Sequence, residues 1–560
     1  MFLASFAEVI SIGAVLPFLG ALTAPERVFT HQLMQPIIRI LNIVEPKQLL
    51  LPLTIAFAFA AIFSGATRLI LLWAQTRLGH AVGADFSFNM YRCTLYQPYA
   101  LHVTRNSSEV IAGISVKASS VVVYILLPVL TILSASLMLI TIVVALFAIE
   151  PLVAFTAIAG FGTIYALVIL TTQKRLLRDS QRISHESNQV IKALQEGLGG
   201  IRDVLIDGTQ ATYCRIYSNA DLPLRRAMAS VQIISSSPRF GVEALGMVLI
   251  AALAFSLAGR LDGVASAIPV LGALALGAQR LLPLLQQIYS SWALIRGGQV
   301  SLSDALDLLD QPLPAHTDMP APLPIKFQHN ITLHQLGFRY GPQGPWVLQQ
   351  LNLTISKGSR IGLIGATGSG KSTLIDIIMG LLEPSCGSFA VDDVVITEKN
   401  HRAWHTHIAH VPQAIFLADT TIAENIAFGV PIEQIDFSRV RESAHKAQID
   451  QTIESWEEQY NTLVGERGIR LSGGQRQRIG IARALYKRAN VIIFDEATSA
   501  LDNNTESAVM RAIENLGDEL TVVIVAHRLT TLKGCNKIVE LNDGCVKRIG
   551  TYLEIVGQSI

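Results

Sequence analysis

The run Gly365-Ala366-Thr367-Gly368-Ser369-Gly370-Lys371-Ser372 follows the apolar stretch RIGLIG and leads into STLIDIIMGLL. Glycines at this spacing let backbone N–H groups approach phosphate oxygens. A lysine ammonium there pairs with the β/γ phosphates, and a serine hydroxyl meets Mg2+. The following residues read as a helix whose N-terminus faces the anion. Gly365, Thr367, Gly368, Ser369, Gly370, Lys371, Ser372 and Thr373 therefore form a candidate cradle for the phosphates of a nucleotide. A second run, VIIFDEATSALD, sets four apolar residues, Val491 to Phe494, before Asp495 and Glu496. An aspartate at the end of a buried strand suits Mg2+, held through water, and the neighbouring glutamate is placed to polarise an attacking water. Alone, such an acidic pair is a solvated turn; beside the phosphate loop it reads as the hydrolytic half of an ATP site.

A third run, Leu471-Ser472-Gly473-Gly474-Gln475 followed by RQRIGIARAL, puts glycines ahead of another helix N-terminus suited to an anion. It resembles the signature sequence of ATP-binding cassettes, which separates them from other P-loop ATPases. The resemblance covers nearly all of residues 325–560, with the motifs in family order. It implies that Tyr340, in GFRY, stacks on adenine. It implies that Gln413, in HVPQ, senses the γ-phosphate and Mg2+ and communicates with the membrane domain. Val464-Gly465-Glu466-Arg467-Gly468 resembles the loop before the signature in exporter-type cassettes. Ser499, Ala500, Leu501 and Asp502 match the D-loop, and His527, in VIVAHRL, matches the switch histidine that contacts the γ-phosphate.

Under this resemblance Glu496, His527 and Gln413 are the catalytic residues. Ser372, Gln413 and Asp495 are the Mg2+ residues, and Tyr340, the loop residues, Ser472, Gly473, Gly474, Gln475 and Asp502 bind ATP. The family site is composite: the P-loop of one cassette faces the signature of another, with two ATP molecules between. A chain with one complete cassette is expected to act as a homodimer; a heterodimer with a degenerate partner is the alternative.

The elements that must carry this site fall into two parts. The chain has 560 residues, half of them apolar, and a mean hydropathy of +0.42. The apolar excess lies before about residue 300. Runs of roughly 18 or more apolar residues are long enough for a hydrocarbon core about 30 Å thick. Six spans are expected, near 1–22, 48–78, 118–149, 152–172, 232–258 and 264–296. Met1–Leu22 lacks a basic lead and a cleavage site, so it is read as a span and not as a removed leader. Lys174, Arg175, Arg178, Arg182, Arg225, Arg226, Arg92 and Arg105 mark the cytoplasmic side; 23–47 and 259–263 are then external. Two long connections, 79–117 and 173–231, are polar but helix-compatible and extend the spans inward. A proline-rich linker, 311–324, leads to alternating strands and helices. The expected fold is an all-α six-helix transmembrane domain (1–310) joined to an α/β P-loop cassette (325–560). A net charge of +1 argues against nucleic-acid binding, and five cysteines without CxxC spacing argue against a zinc site or disulfide framework.

Two long inward connections are the pattern of exporter-type half-transporters. In those relatives short coupling helices rest on the cassettes, here expected near 97–108 and 207–218. Tyr213, Ile216 and Tyr217 share helical spacing that fits a cassette groove; packing within the loop is the alternative. YQPYALHVTRNSSEVI, GGIRDVLIDG and PRFGVEALG resemble the bacterial lipid-linked oligosaccharide flippases. That likeness implies a polyprenyl-pyrophosphate glycan as substrate, moved by alternating access, and a bacterial inner (plasma) membrane location with the cassette in the cytoplasm. The external segment 23–47, with HQLMQPIIRILNIV as a candidate amphipathic helix, fits the same group. A pyrophosphate needs cations along its path: Arg68, Arg239, Arg260 and Arg280 are the candidates. Against this, Arg260 fits an external turn, and the others fit snorkelling or local pairing, as of Arg239 with Glu243. Export of another lipid, a drug or a peptide is the neighbouring reading. An ATP-gated channel or regulator is the distant one, since such proteins often lack a catalytic residue or carry a large regulatory insert, and neither is seen here.

Overall fold

A computed structural model describes the chain except residues 24, 150, 259–262, 321, 498–501, 515–518, 527–528 and 557–560, and except the side chains of 12, 16, 19, 23, 27, 33, 37, 145–146, 148–149, 151–154, 156–158, 246, 249–250, 252–258, 263–280, 503, 513–514, 530 and 556. Its contacts divide into two units: Met1–Gln97 with Thr104–Ala315, and Pro98–Val103 with His316–Ile560.

The first unit is helical throughout. Every apolar segment expected as a span is a helix, and most run well past the apolar stretch. Phe2–Thr23 is followed by Leu50–Leu95, Leu127–Ile149, Pro151–Gly199, Pro238–Ala258 and Gly263–Leu309. The second polar connection continues its helix as far as Gly199, where Glu, Lys, Gln and Leu favour helix and no proline occurs, while the first ends its helix at Leu95, ahead of Pro98. Gln210–Ser236 contains Pro223 yet stays one helix. Three stretches among the described residues, Phe2–Leu22, Pro46–Leu95 and Ser107–Val144, are long and apolar enough to cross a membrane. Their outer faces are apolar and uncovered, with Phe59, Ile62, Leu69 and Trp73 all exposed. Such a face suits lipid and would be an aggregation hazard in water.

The segment HQLMQPIIRILNIV is not one helix. Gln32–Met34 is a 3-10 turn, Gln35–Ile40 is helical, and Asn42 takes a positive φ that stops it. The third span is also interrupted: Gly113–Lys117 and Val122–Leu126 are π-helical turns on either side of the α-helical Ala118–Val121. Close packing supports this stretch. A Cβ at Gly79 would lie 2.6 Å from the Leu127 side chain, and one at Gly83 would strike Val122. Small residues four apart let two membrane helices approach this closely.

Lys117 is buried and salt-bridged to Asp304 at 2.8 Å. The Ser184 hydroxyl donates to the same carboxylate oxygen in a short bond. One ion pair thus joins three helices. A separate pair lies deeper in the apolar region. Glu8, 1 % exposed, meets Arg68 at 2.5 Å and accepts a hydrogen bond from Ser64 Oγ at 2.7 Å. Burying a carboxylate among apolar helices is tolerable only with such partners.

The second unit is α/β. Strands are β1 (Asn330–Phe338), β2 (Leu348–Ser356), β3 (Arg360–Gly365), β4 (Cys386–Val391), β5 (Val394–Val395), β6 (Ile408–Val411), β7 (Val491–Asp495), β8 (Thr521–Val525), β9 (Lys537–Asn542) and β10 (Cys545–Gly550). β2-β1-β4-β5 make an antiparallel sheet. β10-β9-β3-β8-β7-β6 make a second sheet, parallel except for the β9–β10 pair. The parallel strands are near-continuous Val/Ile runs, with β8 wholly buried, as strands covered on both faces should be. Their carboxyl ends gather the chemistry, the usual place for a ligand in an open α/β sheet.

Candidate nucleotide site

β3 ends at Gly365, and the loop turns into the helix Lys371–Ile378. Two glycines are required by geometry. At Gly365 a Cβ would collide with the Leu541 carbonyl oxygen and sit 2.6 Å from Ser369 Oγ. Gly370 caps the helix at φ +97°, in the left-handed region. The loop therefore keeps its backbone open where a side chain would fill the cradle. Lys371 is buried, and its ammonium donates to the Gly365 and Ala366 carbonyls at 2.8 and 2.9 Å. Ser369 Oγ is buried with no hydrogen-bond partner, while Thr367, Gly368 and Ser372 are exposed. A cradle only glycine permits, an orphaned hydroxyl and a lysine folded over its own loop fit a polyphosphate. Thr373 bonds Tyr340: the two hydroxyls are 3.2 Å apart, and the Tyr340 ring, packed edge-on to Phe338, is 48 % exposed.

β7 delivers Asp495 beside this loop. Burial, then the Glu496 carboxylate, push the Asp495 carboxyl up, and Lys371 opposes them. Asp376, on the helix after the loop, is pushed up to about 6 by burial and by Asp495. Such a group of close carboxylates facing one ammonium is short of positive charge, which a divalent cation would supply. Glu496 itself adopts φ +51°, anchored by its N–H to the Val525 carbonyl at 3.0 Å. The Gln413 side-chain amide donates to Glu496 at 2.8 Å. Gln413 lies past β6, 83 residues from its partner, yet β6 and β7 are neighbours in the sheet.

Ser472 caps the helix Gly473–Lys487. Its hydroxyl accepts from the Gln475 N–H at 3.2 Å, and the Gln475 side chain accepts from the Ser472 N–H at 2.8 Å. This reciprocal cap fixes the first turn, Gly473 and Gly474 included. Asp502 accepts from Asn504 N–H, Thr505 N–H and Thr505 Oγ1, and the Thr505 hydroxyl foremost holds its carboxyl below the usual range. Ser499, Ala500, Leu501 and His527 lie outside the described residues.

The structure thus brings together Gln413 with Glu496, Asp495 with Lys371, and Tyr340 with Thr373. The signature residues Ser472 and Gln475 each turn the side chain to the other's backbone N–H. Of the arginines proposed for a transport path, Arg68 is tied to Glu8 and Arg239 to Glu243, at 2.7 Å. Arg260 and the Arg280 side chain lie outside the described residues. Sequence reasoning missed Glu8 and Asp376, each a lone acid inside an apolar or helical run. It also missed Tyr99, which belongs to the cassette unit and whose phenol is pushed up by burial, then by Asp376 and Tyr340. Tyr213 packs near Gly197 of the Pro151–Gly199 helix, within the loop, whereas Ile216 is exposed.

Comparison with known proteins agrees with this architecture. Residues 348–499 match the family model for the ABC transporter, and residues 10–266 match the ABC transporter transmembrane region. An ATP-dependent lipid A-core flippase of Alkalilimnicola ehrlichii is 30% identical over 71% of this chain and 67% of its own length. That of Chromohalobacter salexigens is 32% identical over 70% and 67%. The solved structure of a bacterial Atm1-family ABC exporter with ATP bound superposes with a TM-score of 0.80. It is 22% identical and is matched over 98% of this chain and 96% of that one.

Proposed function

This chain belongs to the ABC transporter family, an ATP-driven exporter by its two matched domains, and we propose that it flips a lipid-linked oligosaccharide across the bacterial inner membrane as a homodimer. The observation that carries the proposal is the union, in one chain, of a candidate nucleotide site in which Gln413 donates to Glu496 and a helical membrane unit, in a chain whose relatives are named ATP-dependent lipid A-core flippases. Those relatives favour a second reading, a lipid A-type glycolipid as cargo. Both readings share a sugar head on an apolar anchor.

In the proposed cycle the P-loop backbone and Lys371 bind the β/γ phosphates of ATP, and Tyr340 stacks on the adenine. Ser372, Asp495 and Gln413 would hold Mg2+, which would supply positive charge to the phosphates. Glu496 orients and deprotonates the attacking water, held in place by Gln413, with His527 at the γ-phosphate. Ser472, Gly473 and Gly474 offer their helix N-terminus to the ATP of the partner cassette. Closure of two cassettes on two ATP molecules then moves the inward helical extensions.

The test is ATP-driven translocation of a fluorescent polyprenyl-pyrophosphate glycan in proteoliposomes. Movement that requires ATP and Glu496 is the expected result. ATP hydrolysis without movement of this lipid would overturn the lipid-linked oligosaccharide reading and turn attention to lipid A-type glycolipids.

A further inference from the structure

Within the membrane unit, three helices enclose a cavity of about 170 Å3. Its polar lining is Tyr165, Arg239, Glu243, Gln286 and Gln287, against the apolar Leu282. Its depth follows from helix geometry. Tyr165 lies nine residues before Lys174, in the basic belt, on an unbroken helix, and its hydroxyl bonds Gln286. At 1.5 Å rise per residue this pair is about 14 Å from that belt, near the middle of a core about 30 Å thick. Polar side chains at that depth are costly unless they face a partner, a cavity or a ligand.

The lining is held for use. Tyr165 O–H donates to Gln286 Oε1 at 3.0 Å, and Gln286 Nε2 donates to the Ser235 carbonyl at 3.0 Å. Tyr289 O–H donates to the Ile234 carbonyl at 3.1 Å, which fixes the same helix pair. Gln286 is therefore locked in one orientation. The Arg239–Glu243 bond uses the guanidinium Nε–H and one carboxylate oxygen, and both side chains stay open, 62 % and 43 % exposed. Guanidinium donors, a carboxylate acceptor, two amides and a phenol converge on one small space.

The charge of this set decides its ligand. Arg239 is neutralised by Glu243, so the cavity has no net charge. A pyrophosphate would meet a carboxylate 2.7 Å from the cation that attracts it. A sugar ring carries no charge, and its hydroxyls both donate and accept, which suits a set holding a guanidinium, a carboxylate and two amides. The volume is small beside ligand pockets of roughly 300–1,000 Å3, enough for one ring and not a whole glycan. We infer that this cavity is a sugar-selective subsite that holds a single pyranose of the transported lipid near the bilayer midplane. The inference rests on the glycolipid reading for its physiological cargo and assigns Arg239 to sugar hydroxyls and not to the pyrophosphate.

The test uses the full-length protein in proteoliposomes with two photoreactive probes of equal chain length, an alkyl glycoside and an alkyl phosphate, each with a diazirine beside the head. Adducts are mapped by mass spectrometry, and translocation of the polyprenyl-pyrophosphate glycan is measured in parallel. The expected result is glycoside adducts on the segment around Leu282 that exceed phosphate adducts. Gln287→Ala and Gln286→Leu should each lower them about fivefold, the effect of one hydrogen bond of about 1 kcal/mol. Equal labelling by both probes, or no adduct at this segment, overturns the subsite. Gln287 is exposed, so its variant keeps the test valid if the Gln286 variant fails to assemble. Translocation without adducts removes the subsite and leaves the flippase reading; adducts without translocation do the reverse.

Discussion

The side-chain amide of Gln413 donates to the carboxylate of Glu496 at 2.8 Å. Glu496 is also pinned through its backbone to β8 in a left-handed conformation. A residue anchored through both its carboxylate and its backbone has a defined orientation, which limits the reorganisation needed at the moment of reaction.

Glu496→Gln keeps the size and the backbone anchor but cannot accept a proton. ATP should still bind, and steady turnover should fall by about 10²–10⁴-fold, the range for a lost general base. Nucleotide trapping and phosphate release measured together check this. Turnover within twofold of wild type would remove Glu496 from the catalytic role.

Gln413→Ala should lower turnover with little change in ATP affinity at equilibrium, because it releases the carboxylate but leaves the P-loop intact. Gln413→Glu should be worse than Ala, since it sets a second carboxylate against Glu496. A reversed order would argue that Gln413 does not position Glu496.

The Lys117–Asp304 pair predicts an asymmetry. Lys117 is 7 % exposed and Asp304 31 %. Removing one partner of a buried pair typically costs about 3–5 kcal/mol, and the more buried partner is the one that suffers when left alone. Asp304→Asn should therefore lower the thermal stability of the membrane unit more than Lys117→Met. Scanning fluorimetry of both variants in nanodiscs decides it, and equal shifts would contradict the account.

The same reasoning applies to Arg68. Its loss would strand Glu8, 1 % exposed, with Ser64 as a remaining hydrogen-bond donor. Arg68→Ala should reduce folded yield, and Glu8→Gln in the same chain should restore it. Normal yield with a selective loss of lipid movement would instead make Arg68 a contact for the cargo.

His405, in the cassette, gives a pH signature. Burial, then His401, depress its imidazole from 6.5 to about 4. The unfolded chain therefore binds a proton that the folded one refuses between those values. Its contribution to stability is full above pH 6.5 and is lost as pH falls toward 4. His405→Gln should flatten the fall in melting temperature across that window; an unchanged slope would refute it.

The strands, loops and helix starts that carry the candidate nucleotide site were legible because each is a short local motif read within about ten residues. The helices were legible because apolar run length reports a span directly. Pairings were not. Nothing near Gln413 announces Glu496, 83 residues on, and only the adjacency of β6 and β7 joins them. Glu8 hides in an apolar run because its partner lies on another helix. Asp376 looks like an ordinary helix residue until β7 brings Asp495 beside it. The expected amphipathic helix near residue 31 failed on a local feature: the backbone turns left-handed at Asn42, after a chain already broken at Gln35.

The two π-turns between Gly113 and Leu126 carry a last consequence. Each wide turn takes in one residue more than an α-helical turn, and each residue advances the side-chain direction by about 100°. Together they rotate the phase of the downstream helix by about 200° against an uninterrupted spiral. The stripe that begins at Ser107 and the stripe that ends at Ile149 therefore belong to different faces of one rod. Deleting one residue from each turn should restore an unbroken spiral while the outer span keeps its neighbours. Deleting a residue from only one turn should wring the helix half out of register.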